Sequence, residues 1–217
     1  MIVVECDQRT AEWYAARVGL LTASEAQTML SRPQKKGEVE TKGKRDLRRR
    51  LALERLTGAP MDSAEDHYVS PWMQRGIDRE EDVVAKYEAR FGELVQRVGF
   101  IRHDTLPIGC SPDGILGDFE GGLEVKNVKW TTQDDYFQLK GAVPPEYLAQ
   151  VIHSLFVTGL AFWDFCSYCP EMPEAGQLYR VRVARDDVDL DSYALAFQMF
   201  WNEVEAQMEL MRVRYAA

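Results

Sequence analysis

The chain has 217 residues, 46% of them hydrophobic, which is the composition of a globular protein and fits a single domain over residues 1–217. Since no apolar run approaches the length of a bilayer-spanning helix, the sequence predicts no membrane partner. The net charge of −9 argues against indiscriminate coating of nucleic acid but does not exclude a local basic surface.

The first residues, 1–6, lack the basic flank and long apolar core of a secretory signal. The four cysteines are irregularly spaced, which is typical of reduced thiols, and we expect a cytoplasmic protein. Cys166 and Cys169 have the spacing of a metal or redox pair. They lie in an aromatic run without a second cysteine pair, so a zinc redox module there ranks last among the hypotheses.

Two helices are predicted over residues 8–30, and Thr22–Glu25 has the Ser/Thr-x-x-Glu form of a capping box for the second. A helix start near Arg17 and Ser24 can bind an anion, although a capped surface helix explains these residues equally well. From Arg32 to Arg55, ten basic residues face four acidic ones, an excess of six positive charges. This segment, a loop over 31–45 and then a helix, predicts a phosphate-facing patch, with a solvated charged face as the alternative.

A further helix is predicted from Asp78 to Phe91. Val84, Tyr87 and Phe91 recur on its apolar face, and Glu80 lies on the same side one turn earlier. An inward carboxylate needs a partner such as a metal ion or a base. Stabilisation by the helix dipole at the rim of the core is the alternative.

The second half of the chain alternates strands and helices. Strands are predicted over 94–102, 108–116, 123–130, 162–169 and 177–183, and helices over 146–158 and 189–214. This order predicts an α/β fold with a mixed central β-sheet flanked by α-helices.

The clearest chemical signal is a Glu-x-Lys pattern in one of these strands. Glu124 and Lys126 should point to one face of the sheet, and Leu123 and Val125 to the other. Asp113 lies in the turn before this strand and can lean over the same spot. Two carboxylates and an ammonium group there can hold Mg²⁺ and orient a water molecule, which suits phosphodiester cleavage. By itself the pattern is equally compatible with a solvated hairpin.

Five motifs in the same order resemble the phage lambda-type (YqaJ-like) alkaline exonucleases, viral recombination nucleases of the PD-(D/E)XK superfamily. The motifs are Arg17-x-Gly19-x-x-Thr22-Ala23-Ser24-Glu25, Arg75-Gly76-x-x-x-Glu80, Cys110-Ser111-Pro112-Asp113-Gly114, Gly122-Leu123-Glu124-Val125-Lys126 and Tyr147-x-Ala149-Gln150-Val151. The resemblance extends from about Trp13 to Val183 and implies a restriction-endonuclease-like core.

The resemblance also implies a site with two Mg²⁺ ions, for which Mn²⁺ would substitute. The residues that it assigns to catalysis are Glu80, Asp113, Glu124, Lys126 and Gln150. Asp113 and Glu124, with the backbone carbonyl of Val125, would bind the metal ions, and Glu80 would join the second ion directly or through water. Lys126 would position the attacking water, and the glutamine would assist it.

A pocket for the 5′-phosphate of the degraded strand is implied at Arg17, Ser24 and Ser111. Weaker assignments to DNA contact fall on Met73, Arg32, Lys35 and Lys36. The chain departs from the family at one acidic position, which is His103 here, with Asp104 one place on.

As a member of this family, the protein would degrade one strand of linear double-stranded DNA from 5′-phosphorylated ends, in the 5′-to-3′ direction. It would release mononucleotides and leave a 3′ overhang for single-strand annealing recombination. The resemblance further implies a homotrimeric ring, a phage-type annealing protein as partner, and a phage or prophage origin in a bacterial host.

Three other functions compete with this one. A restriction-type endonuclease of the same fold has no use for a terminal-phosphate pocket. A non-catalytic DNA-end clamp that recruits an annealing protein would not need the complete set of acidic and lysine side chains. An iron–sulfur nuclease is disfavoured because the sequence lacks a four-cysteine cluster.

Overall fold

A computed structural model describes residues 1–35, 37–61 and 79–215, except for the side chain of Glu80. The helices are α1 (Ala11–Ala16), α2 (Ala26–Leu30), α3 (Lys42–Thr57), α4 (Glu80–Phe91), α5 (Trp130–Gln138), α6 (Pro145–Thr158) and α7 (Leu190–Tyr215). The strands are β1 (Ile2–Val4), β2 (Leu21–Thr22), β3 (Val95–Gln96), β4 (Phe100–Arg102), β5 (Ile108–Cys110), β6 (Gly114–Leu116), β7 (Gly121–Asn127), β8 (Phe162–Tyr168) and β9 (Leu178–Ala184). In the described ranges, no helix combines the length and apolar character needed to cross a membrane.

The strands form two mixed sheets, with orders β1-β4-β5-β2 and β3-β6-β7-β8-β9. The pairs β2/β5 and β7/β8 are parallel, and the other neighbours are antiparallel. The predicted α/β class with mixed strands and flanking helices is confirmed, but the single central sheet is divided in two. The predicted strands over 94–102 and 108–116 are each split between the two sheets, so the chain crosses from one sheet to the other within each of these segments.

Two hydrophobic cores lie on opposite faces of the five-stranded sheet. The larger core includes Trp163 and Phe165 of β8 together with side chains of α2, α3, α6 and α7. The smaller core includes Leu123 and Val125 of β7 and the buried face of α4. Successive residues of β7 and β8 therefore point alternately into the two cores, as the period of a strand requires.

The buried face of α4 differs from the predicted one. Val83 and Tyr87 are completely buried, whereas Val84 is only half-buried. Because 3.6 residues make one turn, positions three and four places before Tyr87 are both candidates for the same face. The sequence pattern alone does not choose between them.

A fully buried carboxylate ties α4 to the sheet. Asp164 of β8 accepts hydrogen bonds from the hydroxyl of Tyr87 and from Nε and Nη2 of Arg182, the latter two at 2.8 and 2.9 Å. Arg180 Nη1 lies 3.4 Å from the same carboxylate, and Glu93 binds Arg182 at 2.7 Å. Burial and the bond to Asp164 raise the pKa of Tyr87. These contacts neutralise the charge that Asp164 brings into the smaller core.

The larger core contains a buried histidine. His153 of α6 accepts a hydrogen bond at Nδ1 from the Tyr193 hydroxyl of α7, at 2.6 Å, and donates one from Nε2 to the Gly109 carbonyl of β5, at 3.1 Å. The neutral imidazole with its proton on Nε2 satisfies both ring nitrogens. Burial lowers the pKa of His153 to about 4, against a smaller opposing effect of the Gly109 carbonyl.

The stability of the protein should therefore fall in mild acid. The unfolded chain takes up a proton on this histidine below about pH 6.5, whereas the folded chain does not until about pH 4, so acid favours unfolding. Between pH 6.5 and 5, we expect the free energy of unfolding to drop by about 1.5 kcal/mol more in the wild type than in His153→Gln. Urea denaturation at both pH values measures the difference, with His103→Gln as the control. Equal pH dependence of the wild type and His153→Gln would contradict the assignment.

Candidate active site

The middle of β7 carries a buried acid next to a lysine. Glu124 is 3% exposed and forms an ion pair with Lys126 Nζ on the same face of the strand. Leu123 and Val125 point to the opposite face, into the smaller core. Burial alone would lower the pKa of Lys126, but Glu124 and Asp113 outweigh it and raise that pKa. The lysine is therefore a fixed cation, and the alternation predicted for this strand is confirmed.

Asp113 lies where the chain crosses from β5 in one sheet to β6 in the other. Its Oδ2 accepts a hydrogen bond from the backbone N–H of Val125, at 2.6 Å, and its own N–H donates to the Leu123 carbonyl at 3.0 Å. The carboxylate is thus directed onto β7 between Glu124 and Lys126. The structure brings the three side chains together.

Two side chains fasten this crossing from outside. Gln8 Nε2 donates to the Pro112 carbonyl at 2.9 Å, and Arg97 Nη1 donates to the Asp113 carbonyl at 3.3 Å. Because the turn is held by the N-terminal segment and by the connection between β3 and β4, the Asp113 backbone has little freedom to move away from β7.

Gln150 lies on the face of α6 that is directed at this site. One turn before it, the Tyr147 ring centroid is 5.2 Å from Lys126 Nζ. One turn after it, Ser154 is close enough to the Cys110 thiol to lower its pKa, against the larger effects of burial and Glu124. Residues three and four apart share a helix face, so Gln150 lies between these two contacts. It is half-buried.

Arg17 and Ser111 are joined by a residue that the sequence analysis did not single out. Trp13 Nε1 donates to Ser111 Oγ at 2.9 Å, and the Arg17 guanidinium carbon lies 3.9 Å from the Trp13 ring centroid. Ser24 follows the end of β2, and Ser111 follows the end of β5. Because these two strands are parallel neighbours, both serines lie at the carboxyl ends of the strands, on the same side of the sheet. Trp13 lies in a short helix and Arg17 just after it, four residues on. This spacing places two side chains on one face of a helix and was the signal that could have identified Trp13.

Burial lowers the pKa of Arg17, although Glu25 opposes the shift. A guanidinium remains protonated throughout the physiological range even so. Arg17 is therefore a half-buried cation that Trp13 links to the Ser111 hydroxyl, and such a group of donors can bind an anion.

Mg²⁺ prefers oxygen ligands, and Asp113 and Glu124 supply two carboxylates. Over the residues described, there is no group of three or more His, Cys, Asp or Glu side chains able to hold a metal ion. The predicted third acid, Glu80, begins α4, and its side chain lies outside the described residues. Asp104, the substitute considered for His103, is exposed and pairs with the N-terminal ammonium at 2.8 Å.

The remaining predicted positions are peripheral or outside the described residues. Arg32 and Lys35 are exposed, whereas Lys36 and Met73 lie outside those residues. Part of the positive charge of the basic segment is used internally, because Arg48 pairs with Glu40 at 2.8 Å.

Cys166 and Cys169 have different surroundings. Cys166 is buried in the smaller core, and the Cys169 thiol donates to Glu171 Oε2 at 3.2 Å. In the described part of the chain, they belong to no group of three or more His, Cys, Asp or Glu side chains that could hold a metal ion.

Comparison with known proteins identifies the family. Residues 12–161 match the profile of the YqaJ-like viral recombinase domain. LHK-Exo, an alkaline exonuclease from Laribacter hongkongensis, is 31% identical. Its crystal structures, one of them in complex with dAMP, give TM-scores of 0.81 and 0.80 and cover 95% of this chain and 98% of theirs.

A phage-related exonuclease from Haemophilus somnus 129PT shares the fold, with a TM-score of 0.60 at 12% identity over 90% of this chain and 96% of its own. No curated protein matches the chain at a significant level. The match to the domain profile over most of the chain and the similarity to LHK-Exo place this protein in the YqaJ-like viral recombinase family, among nucleases with the alkaline exonuclease fold.

Proposed function

We propose that the protein is a metal-dependent exonuclease that degrades one strand of linear double-stranded DNA from 5′-phosphorylated ends. One observation carries the proposal: Trp13 links Arg17 to Ser111, and Ser111 lies two residues before Asp113. An anion pocket so close to the carboxylates suits a substrate whose terminus is a phosphate. Degradation would run 5′ to 3′ and leave a 3′ overhang for annealing recombination.

In this proposal, Asp113 and Glu124 hold two Mg²⁺ ions, with the Val125 carbonyl and Glu80 as further ligands and Mn²⁺ as a substitute. When bound, such ions lower the pKa of a water molecule and neutralise charge on the phosphoryl oxygens. The Lys126 ammonium, held in place by the Glu124 carboxylate, adds positive charge where the reacting phosphoryl group becomes more negative. The side-chain amide of Gln150, on α6, helps to orient the water molecule.

The proposed 5′-phosphate pocket consists of Arg17, Ser24 and Ser111. Because the Trp13 N–H donates to Ser111 Oγ, the hydrogen of that hydroxyl can itself be donated to a phosphate oxygen. Stacking on the indole keeps the Arg17 guanidinium in place without using its N–H groups.

The comparisons support the rest of the proposal at a coarser level. The complex of LHK-Exo with dAMP is consistent with mononucleotide release. The viral recombinase family supports DNA as substrate and a role in recombination. We extend the proposal to a homotrimeric ring that works with a phage-type annealing protein in the cytoplasm of a host carrying the phage or prophage.

Digestion of end-labelled linear duplexes tests the polarity, the metal and the end requirement together. With Mg²⁺, we expect a 5′ label to be released first as a mononucleotide, and EDTA should stop the release. A 5′-hydroxyl duplex should be digested at least about tenfold more slowly than a 5′-phosphoryl duplex, because charge-assisted hydrogen bonds to the phosphate are lost.

A closed circular duplex is the control, and it should stay intact. Cutting of the circle would instead indicate an endonuclease, and tight end binding without Mg²⁺-dependent digestion would indicate a clamp. Equal rates on both kinds of linear end would remove Arg17, Ser24 and Ser111 from the pocket.

A further inference from the structure

Arg50 of α3 lies between two carboxylates. Its Nη2 pairs with Glu25 Oε1, and its Nη1 lies 2.8 and 2.9 Å from the two oxygens of Glu54. The side chains of Arg50 and Glu25 are only 21% and 24% exposed, and that of Glu54 is 4% exposed. Water screens such a bridge less than it screens an ion pair on an open surface.

The same carboxylates hold the backbone near the proposed phosphate pocket. Glu54 Oε2 accepts a hydrogen bond from the Gly19 N–H at 2.9 Å. Glu25 Oε2 accepts from both the N–H and the hydroxyl of Thr22, at 2.9 and 2.8 Å. Gly19 and Thr22 lie between the arginine and the first serine of the pocket, so the Arg50 bridge connects α3 to the segment that carries both.

Arg17 shares this electrostatic neighbourhood. Burial lowers its pKa, Glu25 raises it and Arg50 lowers it, so all three groups are within effective range of one another. Among the described residues, however, Glu25 and Glu54 pair with Arg50, while the Arg17 guanidinium lies over Trp13. Arg50 is thus paired with two carboxylates, whereas Arg17 faces the neutral ring of Trp13.

We propose that Arg50 is a positioning residue for recognition of the 5′-phosphate, acting by keeping Glu25 away from Arg17. The inference rests on the proposed end-dependent function. Without Arg50, the Glu25 carboxylate would still act on Arg17, whose pKa it already raises. Pairing between these two would cancel the charge that binds the phosphate and would bring a like charge towards the incoming anion.

The test compares 5′-phosphoryl and 5′-hydroxyl duplexes in two ways. The first is the ratio of their digestion rates with Mg²⁺. The second is the ratio of their affinities in EDTA, measured by fluorescence anisotropy. Arg50→Met should lower both ratios by about tenfold, the size of effect expected when a charge-assisted contact is lost. Arg49→Met removes the same charge from an exposed neighbour and should weaken binding to both ends equally, leaving the ratios unchanged.

Two further variants separate positioning from folding. Arg50→Lys keeps a cation near both acids and should retain most of the end preference. In a Glu25→Gln background, which removes the Glu25 carboxylate but keeps Glu54, Arg50→Met should change the ratios less than twofold if the coupling runs through Glu25.

The outcomes are distinguishable. If the wild type prefers phosphorylated ends and Arg50→Met, folded by circular dichroism, prefers them equally, the role of Arg50 is wrong and the pocket stands. An equally large loss in the Glu25→Gln background also overturns the role. A wild type without any end preference overturns the pocket and this inference with it.

Discussion

Replacing Lys126 by alanine should slow digestion of a 5′-phosphoryl duplex by about a thousandfold or more, while duplex affinity changes only a few-fold. The ammonium lies against Glu124 and close to Asp113, and in the proposed mechanism its charge is needed most when the phosphoryl group becomes more negative. Contacts that act mainly in the transition state lower the turnover number without weakening substrate binding. Single-turnover digestion and anisotropy measured on the same duplex separate the two quantities.

Lys140→Ala is a matched control for this experiment. Lys140 is exposed in a turn after α5, so its removal changes the net charge by the same amount without touching the site. We expect its digestion rate to stay within twofold of the wild type. Near wild-type cleavage by Lys126→Ala would show that the active site lies elsewhere.

The largest expected effect on stability comes from Asp164. Replacing it by alanine should lower the free energy of unfolding by about 3–5 kcal/mol, the usual result of removing one partner from a buried ionic network. The carboxylate is completely buried, and its loss leaves the Tyr87 hydroxyl and the two arginines of β9 without their shared acceptor.

Urea denaturation followed by tryptophan fluorescence measures this loss at neutral pH. Asp135→Ala, at an exposed position of α5, should change the free energy by no more than about 0.5 kcal/mol. A loss below about 1 kcal/mol in Asp164→Ala would mean that the network contributes little beyond filling space.

Local patterns predicted much of the structure. The alternation at Glu124 and Lys126 was visible because strand periodicity is two and the intervening Leu123 and Val125 are apolar. The capping box at Thr22 and Glu25 was visible because its spacing is short, and both of its hydrogen bonds are present in the structure. The glycine that ends α6, Gly159, has the left-handed conformation expected of a helix C-cap.

Features that depend on distant pairing were not predicted. No local sequence pattern shows which strand pairs with Val95 and which with Phe100, although these two residues belong to different sheets. Helix α5 was missed: the predicted strand over 123–130 included its first residue, Trp130, and residues 131–138 were assigned to no element. Asp164 gave no signal, since its partners lie far away in the chain and a lone aspartate in an aromatic strand has no periodic context.

The crossing at Ser111–Asp113 has a consequence for the length of the product. Two residues span at most about 7 Å, so the proposed grip on the end and the proposed cutting groups share one short stretch of backbone. Gln8 and Arg97 brace that stretch from outside, which prevents the two functions from drifting apart. In the proposed exonuclease, the covalent geometry of this turn fixes the distance between the phosphate-binding groups and the cleaving groups. The DNA strand would therefore advance by the same distance in each cycle, whatever its sequence.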